Sequence, residues 1–264
     1  MSIHCPRNAR ERILVYGTTG TSKTYSWLNI ADWHQRTRST AVFHVLDTDN
    51  SVIDELEEGY PHLQNVTVYP TFNYNDFRTN LDKATAFINP DDWLIVDMVG
   101  ELWEMCQRHF TDQVFNKNIE SHFLAMRQEM ERYNTTRSSS DKEQKRLNPL
   151  EGFVDWPTIN KLNQGAMDQL CLRNISHVYC TSKAQQLTAQ DDETVRDVYS
   201  RFGYRPQGQK FLGHYFRTVI FTQRSKQGWK LNSIKDRNRG LLEGQDLTNF
   251  TTQYLKGIGG WQLV

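Results

Sequence analysis

Arg12-Ile-Leu-Val-Tyr-Gly17 is an apolar run with strand character, and it stops at a glycine. Thr18-Thr-Gly-Thr-Ser22 follows, small and turn-forming. Lys23 and Thr24 then open a stretch in which Trp27, Leu28, Ile30, Ala31 and Trp33 recur at helical spacing. A strand, a tight glycine loop and a helix that begins with lysine and threonine are the parts that grip a triphosphate. The loop turns its amides inward, the helix N-terminus adds partial positive charge, and the lysine reaches the outer phosphates. The threonine hydroxyl suits Mg2+. Gly17, Thr18, Thr19, Gly20, Thr21, Ser22, Lys23 and Thr24 are therefore the expected nucleotide contacts. One position departs from the Walker A pattern. Ser22 stands where the pattern has a glycine, and Gly20 lies two residues earlier; a side chain at 22 crowds the backbone if that position needs a glycine-only conformation. The bland alternative is a glycine-rich turn that binds nothing, and the flanking strand and amphipathic helix weigh against it.

Three further groups could complete such chemistry. Asp97 closes the apolar run Trp93-Leu-Ile-Val-Asp97 and is the expected second anchor for Mg2+ beside Thr24; its alternative is a cap for the next helix. Asp47 and Asp49 end another apolar run, Ala41-Val-Phe-His-Val-Leu46, at the strand edge where α/β proteins bind ligands. Either aspartate could orient an attacking water, with a plain turn aspartate as the alternative. Lys235 and Arg237 alternate along a strand, so both side chains leave one face. Two cations held together can stabilise charge on a transferring phosphoryl group. If their own loop is too far away, they serve a neighbouring subunit.

The elements that must position these residues alternate. Helix is expected from the loop to about Arg36, strand at 41–46, helix at 52–58, strand at 66–69, helix at 76–88 and strand at 93–97. A polar stretch at 133–150 reads as a mobile loop. Helix from Pro157 to about Leu172 and strand at 177–182 follow. A hairpin of 218–222 with 229–235 closes the series. Strands alternating with helices predict an α/β fold with a mostly parallel sheet covered on both faces.

The chain has 264 residues, which suits one such domain spanning 1–264. No apolar run approaches the ~18 residues of a membrane span, and the N-terminus lacks a signal peptide's apolar core. The four cysteines show no C-x-x-C spacing, so reduced, buried thiols and a cytoplasmic location are expected. The net charge of zero conceals an asymmetry. Between Asp47 and Glu104 thirteen acidic residues face two basic ones, and between Arg196 and Arg239 eleven basic residues face two acidic ones. The basic segment is interleaved with aromatics, as in a single-strand nucleic acid groove where charge meets the backbone and rings meet bases. Arg196, Arg201, Phe202, Tyr204, Arg205 and Lys210 are the expected contacts, the alternative being strand-core rings with solvated cations.

Taken in order, these motifs resemble the RecA/KaiC-like branch of P-loop ATPases, and most of all its phage-encoded Sak-type single-strand annealing members. Tyr16 to Thr24, Val45 to Asp49, Trp93 to Met98, Asp155 to Asn160, Val178 to Ser182, Arg205 to Lys210 and Ile234 to Arg239 carry the resemblance, which spans nearly the whole chain. It implies a RecA-like core that assembles into rings or filaments with ATP between subunits. It also implies that Lys23, Asp49, Lys235 and Arg237 act catalytically, the last two across subunits, with Thr24 and Asp97 on Mg2+. Thr181 or Ser182 would be the polar sensor, and DNA-binding loops would follow the Asp97 and Thr181 strands. The family's catalytic carboxylate is often glutamate; aspartate is shorter by about 1.5 Å. The expected activity is a DNA-dependent ATPase that binds single-stranded DNA and promotes annealing or strand exchange in phage recombination. The alternatives are a nucleotide-gated DNA-binding module with weak hydrolysis, and a genome-packaging or helicase-loading motor.

Overall fold

The computed structural model describes residues 3–4, 10–37, 39–135, 149–226, 228–237 and 262–263. Strands β1 (Ile3–His4), β2 (Arg12–Gly17), β3 (Phe43–Asp47), β4 (Val66–Pro70), β5 (Trp93–Asp97), β6 (His177–Gln186), β7 (Tyr204–Pro206), β8 (Thr218–Ser225), β9 (Gly228–Asp236) and β10 (Gln262–Leu263) alternate with helices for most of the chain. The helices are α1 (Lys23–Arg36), α2 (Val52–Gly59), α3 (Tyr74–Ala86), α4 (Glu101–Phe115), α5 (Ile119–Thr135), α6 (Asp155–Met167) and α7 (Glu193–Tyr199). A π-helical turn, Asp168–Arg173, extends α6, and a 3-10 turn spans Leu212–Tyr215.

The main sheet runs β4-β3-β5-β6-β2-β8-β9. From β4 to β8 every pairing along this path is parallel; β9 returns antiparallel on β8, and β7 pairs antiparallel with the far end of β6. β1 pairs with β10 in a separate ladder. The central strands are apolar on both faces because both are covered. On one face Ile13, Val15, Trp27, Leu28, Val45, Val52 and Ile95 form a core under α1 and α2. On the other, Leu14, Leu46, Phe77, Leu94, Leu102, Ile159 and Cys180 pack under α3, α4 and α6. The fold is thus α/β, with a mostly parallel mixed sheet between helical layers and a C-terminal hairpin.

Two stretches differ from the sequence expectation. No element is expected over 98–132, whereas α4 and α5 fill it, joined at Asn116, whose left-handed φ of 50° ends α4. Residues 133–135, expected in a mobile loop, are the last turn of α5; 136–148 lie outside the described residues. Cys106, Cys171 and Cys180 are free and buried, and burial pushes the Cys106 and Cys171 thiols up to about 12. Cys5 lies outside the described residues. Among them, no helix is long and apolar enough to cross a membrane.

Candidate functional site

β2, β3, β5 and β6 all end at one edge of the sheet, so Gly17, Asp47, Asp97 and Thr181 arrive there together. The loop after Gly17 is built tightly. A Cβ on Gly17 would lie 2.1 Å from the Thr222 hydroxyl and 2.5 Å from the Thr222 carbonyl, so no side chain fits. Thr222 donates to the Tyr16 carbonyl at 3.3 Å and lies 2.9 Å from the Thr21 hydroxyl, while Thr21 donates to the Thr18 carbonyl at 2.7 Å. These contacts pin the loop against β8. Gly20 and Ser22 both adopt left-handed backbone, with φ of 68° and 58°. Ser22 therefore occupies a conformation that glycine adopts freely and that costs other residues about 1–2 kcal/mol.

Helix α1 begins at Lys23 with no side-chain cap and no acid in its first turn. Its first amides and its dipole are left for an anion. The Lys23 ammonium folds back onto two neutral acceptors, the Gly17 carbonyl at 3.3 Å and the Thr18 carbonyl at 3.0 Å. Burial lowers its pKa from the ordinary lysine value, while Asp97 and Asp49 raise it from a distance and Lys183 opposes them. A cation drawn from water and given only carbonyls is well matched to a phosphate oxygen.

Asp97 lies under the loop, almost wholly buried. Its Oδ2 accepts from the Trp27 indole at 2.9 Å, and its Oδ1 accepts from the Thr181 hydroxyl. Thr24 lies close enough to help lower its pKa. Burial pushes this carboxyl above the usual carboxylate range, and these three groups work against that shift. Thr48 ties β3 to the same spot: its amide donates to the Asp97 carbonyl at 2.7 Å, and its hydroxyl donates to the Met98 carbonyl at 2.9 Å. Thr24 and Asp97, expected as a metal pair, are therefore neighbours.

Asp49 and Asp47 separate clearly. Asp49 is exposed, accepts from Ser51 at 2.8 Å, and lines a cleft of about 400 Å³ together with Lys23, Thr24, Tyr25, Glu55 and Lys183. Asp47 is buried beneath; its Oδ2 accepts from the Val52 amide at 3.1 Å and so anchors the start of α2. Its Oδ1 is buried without a hydrogen-bond partner. Burial raises the Asp47 pKa, the Val52 and Ser51 amides lower it, and Asp49 and Asp97 raise it further.

Thr181 and Ser182 point to opposite faces of β6. Thr181 reaches Asp97, but Ser182 donates to the Gln207 carbonyl at 3.0 Å on the far side and does not enter the cleft. Lys183, one residue on, does enter it, held by Glu101 at 2.9 Å. Sequence reasoning missed Lys183 and Trp27 as site residues. The only available signals were a cation just past a strand end and a tryptophan whose buried N–H needs an acceptor.

Lys235 and Arg237 lie elsewhere. β9 runs antiparallel, so Lys235 pairs with Val219 and Asp236 with Thr218, at the end of β8 opposite to Gly17. That is roughly 10 Å along the strand and about 10 Å across two strands from the loop. Both cations line a separate cavity of about 190 Å³, where the Lys235 ammonium donates to the Gly213 carbonyl at 3.0 Å. Burial, and then Arg237, lower the Lys235 pKa to about 8. They do not reach their own chain's cleft.

The expected nucleic acid contacts divide. Arg196, Arg201 and Lys210 are exposed on and after α7, with Lys210 3.5 Å from Asp192. Arg205 is not available: its guanidinium is buried, donates to Asp191 at 2.8 Å and to the Pro206 carbonyl at 3.1 Å, and holds the β7 turn together. Phe202 and Tyr204 pack on Phe221, with ring centroids 5.2 and 5.9 Å away, and are only partly exposed. For these two rings the strand-core alternative describes the geometry. No protein-family model matches this sequence, and no curated protein matches it.

Proposed function

We propose that this chain is a P-loop ATPase with a RecA-like core, which binds ATP with Mg2+ in the cleft at 17–24 and couples it to binding of single-stranded DNA. The observation that carries the reading is the meeting of Lys23, Thr24 and Asp49 at one cleft with Asp97 buried beside it, although they come from three separate strand ends. The α1 amides and the Lys23 ammonium bind the phosphates. Thr24 and Asp97 would hold the metal, which when bound neutralises charge building on the β- and γ-phosphates. Mg2+ is commonly held by one or two protein groups plus substrate phosphates. That mode needs no larger ligand cluster, and none of three or more His, Cys, Asp or Glu is found among the described residues. Asp49 orients water at the mouth of the cleft. Trp27 and Thr181 position Asp97. Lys235 and Arg237, on the opposite edge, act in the cleft of a neighbouring subunit of a ring or filament.

Single-stranded DNA is assigned to the exposed cations Arg196, Arg201 and Lys210, with promotion of annealing or strand exchange as the outcome. A second reading, a nucleotide-gated DNA-binding module with slow turnover, is favoured by one observation: Asp49 is a short carboxylate tethered to Ser51. ATP hydrolysis with and without single-stranded DNA, measured beside nucleotide affinity, separates the two. Turnover stimulated by DNA supports the ATPase, tight binding without turnover supports the gated module, and absence of nucleotide binding removes both.

A further inference from the structure

Strand β9 carries one residue more than β8 between the partners of Val219 and Ile220, and that residue is Ile234. Such a bulge breaks the alternation of a strand and re-aims the side chains beside it. Here Ile234 and Lys235, consecutive in sequence, line the same cavity, and Val219, directly across from Lys235, lines it too. Val195 and Val198 of α7 and Phe211 complete the apolar wall, and the exposed Val198 leaves the mouth open to solvent. The Lys235 ammonium is held there by a neutral acceptor, the Gly213 carbonyl at 3.0 Å. Arg237 is its cationic neighbour, and among the described residues no carboxylate pairs with either. Asp236, between them in sequence, turns to the Thr218 hydroxyl 3.5 Å away. The other ionisable groups that face the cavity are Lys210, His214 and Tyr199. Lys210 is taken up by Asp192 at 3.5 Å, and burial keeps Tyr199 neutral by pushing it up to about 12. Burial and then Arg237 bring Lys235 down to about 8. Roughly a tenth of such amines are neutral at pH 7, against well under a hundredth for an ordinary lysine. A lysine in an apolar recess beside a second cation is activated as a nucleophile toward carbonyl carbon.

We propose that Lys235 is an imine-forming amine, and that this pocket takes an aldehyde or ketone with an apolar body and a carboxylate. The body lies against Val195, Val198 and Phe211, and the carboxylate meets Arg237. No further reagent is needed. The neutral Nζ attacks the carbonyl carbon, and a C–N bond forms as the C=O π bond opens. Both amine protons then leave with the oxygen as water, and a C=N bond remains. The Gly213 carbonyl accepts an N–H and so leaves the nitrogen lone pair free for the attack. Residues two apart on an extended chain are separated by roughly 7 Å, a span that a carbonyl and a carboxylate at opposite ends of a benzene ring also cover. The pocket lies within one chain and needs neither nucleotide nor a neighbour. An adduct would withdraw Lys235 from the part proposed for it in ATP turnover, yet neither assignment depends on the other.

Trapping with cyanoborohydride tests the pocket on the full chain. The probe is para-carboxybenzaldehyde, and its control is para-tolualdehyde, which lacks the carboxylate. Peptide mapping by mass spectrometry reads the secondary amine left at each lysine. At pH 7 Lys235 is expected to be labelled about tenfold faster or more than the exposed Lys83 and Lys117. That advantage should shrink as the pH rises toward about 10, where ordinary lysines lose their protons too. The control aldehyde should react at Lys235 several-fold more slowly than the probe. Arg237→Met, its fold checked by a thermal melt, should erase that preference, and unfolding in urea should bring Lys235 to the rate of Lys83. Labelling of Lys235 no faster than Lys83, a fast site that survives unfolding, or equal rates for the two aldehydes would each overturn the pocket. All three are read on the parent chain, so they decide the matter even where Arg237→Met does not fold. Trapping in a Lys23→Ala chain should be unchanged, so that failure of the ATPase and failure of the imine are seen separately.

Discussion

Lys23 is the residue on which the proposed chemistry turns. Its ammonium is bonded only to loop carbonyls, so Lys23→Ala removes charge from the cleft without opening the core. The expected result is loss of ATP affinity by at least tenfold, with the melting temperature nearly unchanged, read by calorimetry and a thermal melt. Ser22 makes a different point. Its left-handed backbone predicts that Ser22→Gly stabilises the native loop by about 1 kcal/mol, offset in part by the greater freedom of glycine in the unfolded chain. A urea melt in which the variant is clearly less stable would refute the strain assigned to this position. Asp49 and Asp47 are separated by burial. Asp49→Glu, which lengthens a side chain already in the cleft, should raise turnover or leave it unchanged. Asp47→Asn should act on stability through the α2 start rather than on turnover. A large fall in turnover for Asp49→Glu, matched by Asp47→Asn, would reverse the assignment.

Among the elements, the β6–α7–β7 segment shows how the same residue type takes different duties. Arg205 and Arg201 are both arginines in a basic stretch, but Arg205 is sealed against Asp191 and the β7 turn, while Arg201 stands outside. Arg205→Ala leaves Asp191 without its cationic partner, only the Thr188 donors remaining, and should cost roughly 2 kcal/mol of stability. Arg196→Ala combined with Arg201→Ala should leave the melt alone, weaken single-strand DNA binding and flatten its salt dependence, because fewer counterions are released. Fluorescence anisotropy at several salt concentrations reads both effects. Unchanged DNA affinity in that double variant would move the DNA site away from α7.

For the whole molecule, the sheet order separates charge. The acidic segment covers α2, α3 and the β3–β4 end, and the basic segment covers α7 and the β8–β9 end. Lys235 and Arg237 lie at the end of β8 and β9 opposite to Gly17, so the catalytic part proposed for them requires another subunit. Arg237→Ala should therefore bind ATP normally and turn it over slowly. Mixed with Lys23→Ala, it should recover activity at interfaces where an intact cleft meets an intact cation pair. Such fingers are worth about a thousandfold or more in rate, so a minority of mixed interfaces suffices for a signal. Activity that stays flat across mixing ratios, with mixed particles present, would exclude the arrangement.

Local pattern was enough to read the strands and the glycine loop. Strand β5 was legible to the residue, and β2, α1, α2 and the hairpin nearly so, because periodicity, glycines and strand-end aspartates act over a few neighbours. It missed α4, α5, α7 and β7, where the patterns are weaker. The folded arrangement of strands was needed to bring Thr181 and Trp27 to Asp97, 84 and 70 positions away. It also decided that Ser182 turns from the cleft, that Arg205 is sealed by Asp191, and that Lys235 lies at the far edge of the sheet. These depend on which strands become neighbours and which way each one runs. Pairing of that kind is settled by the burial of distant apolar faces against one another, and no short window of residues contains it.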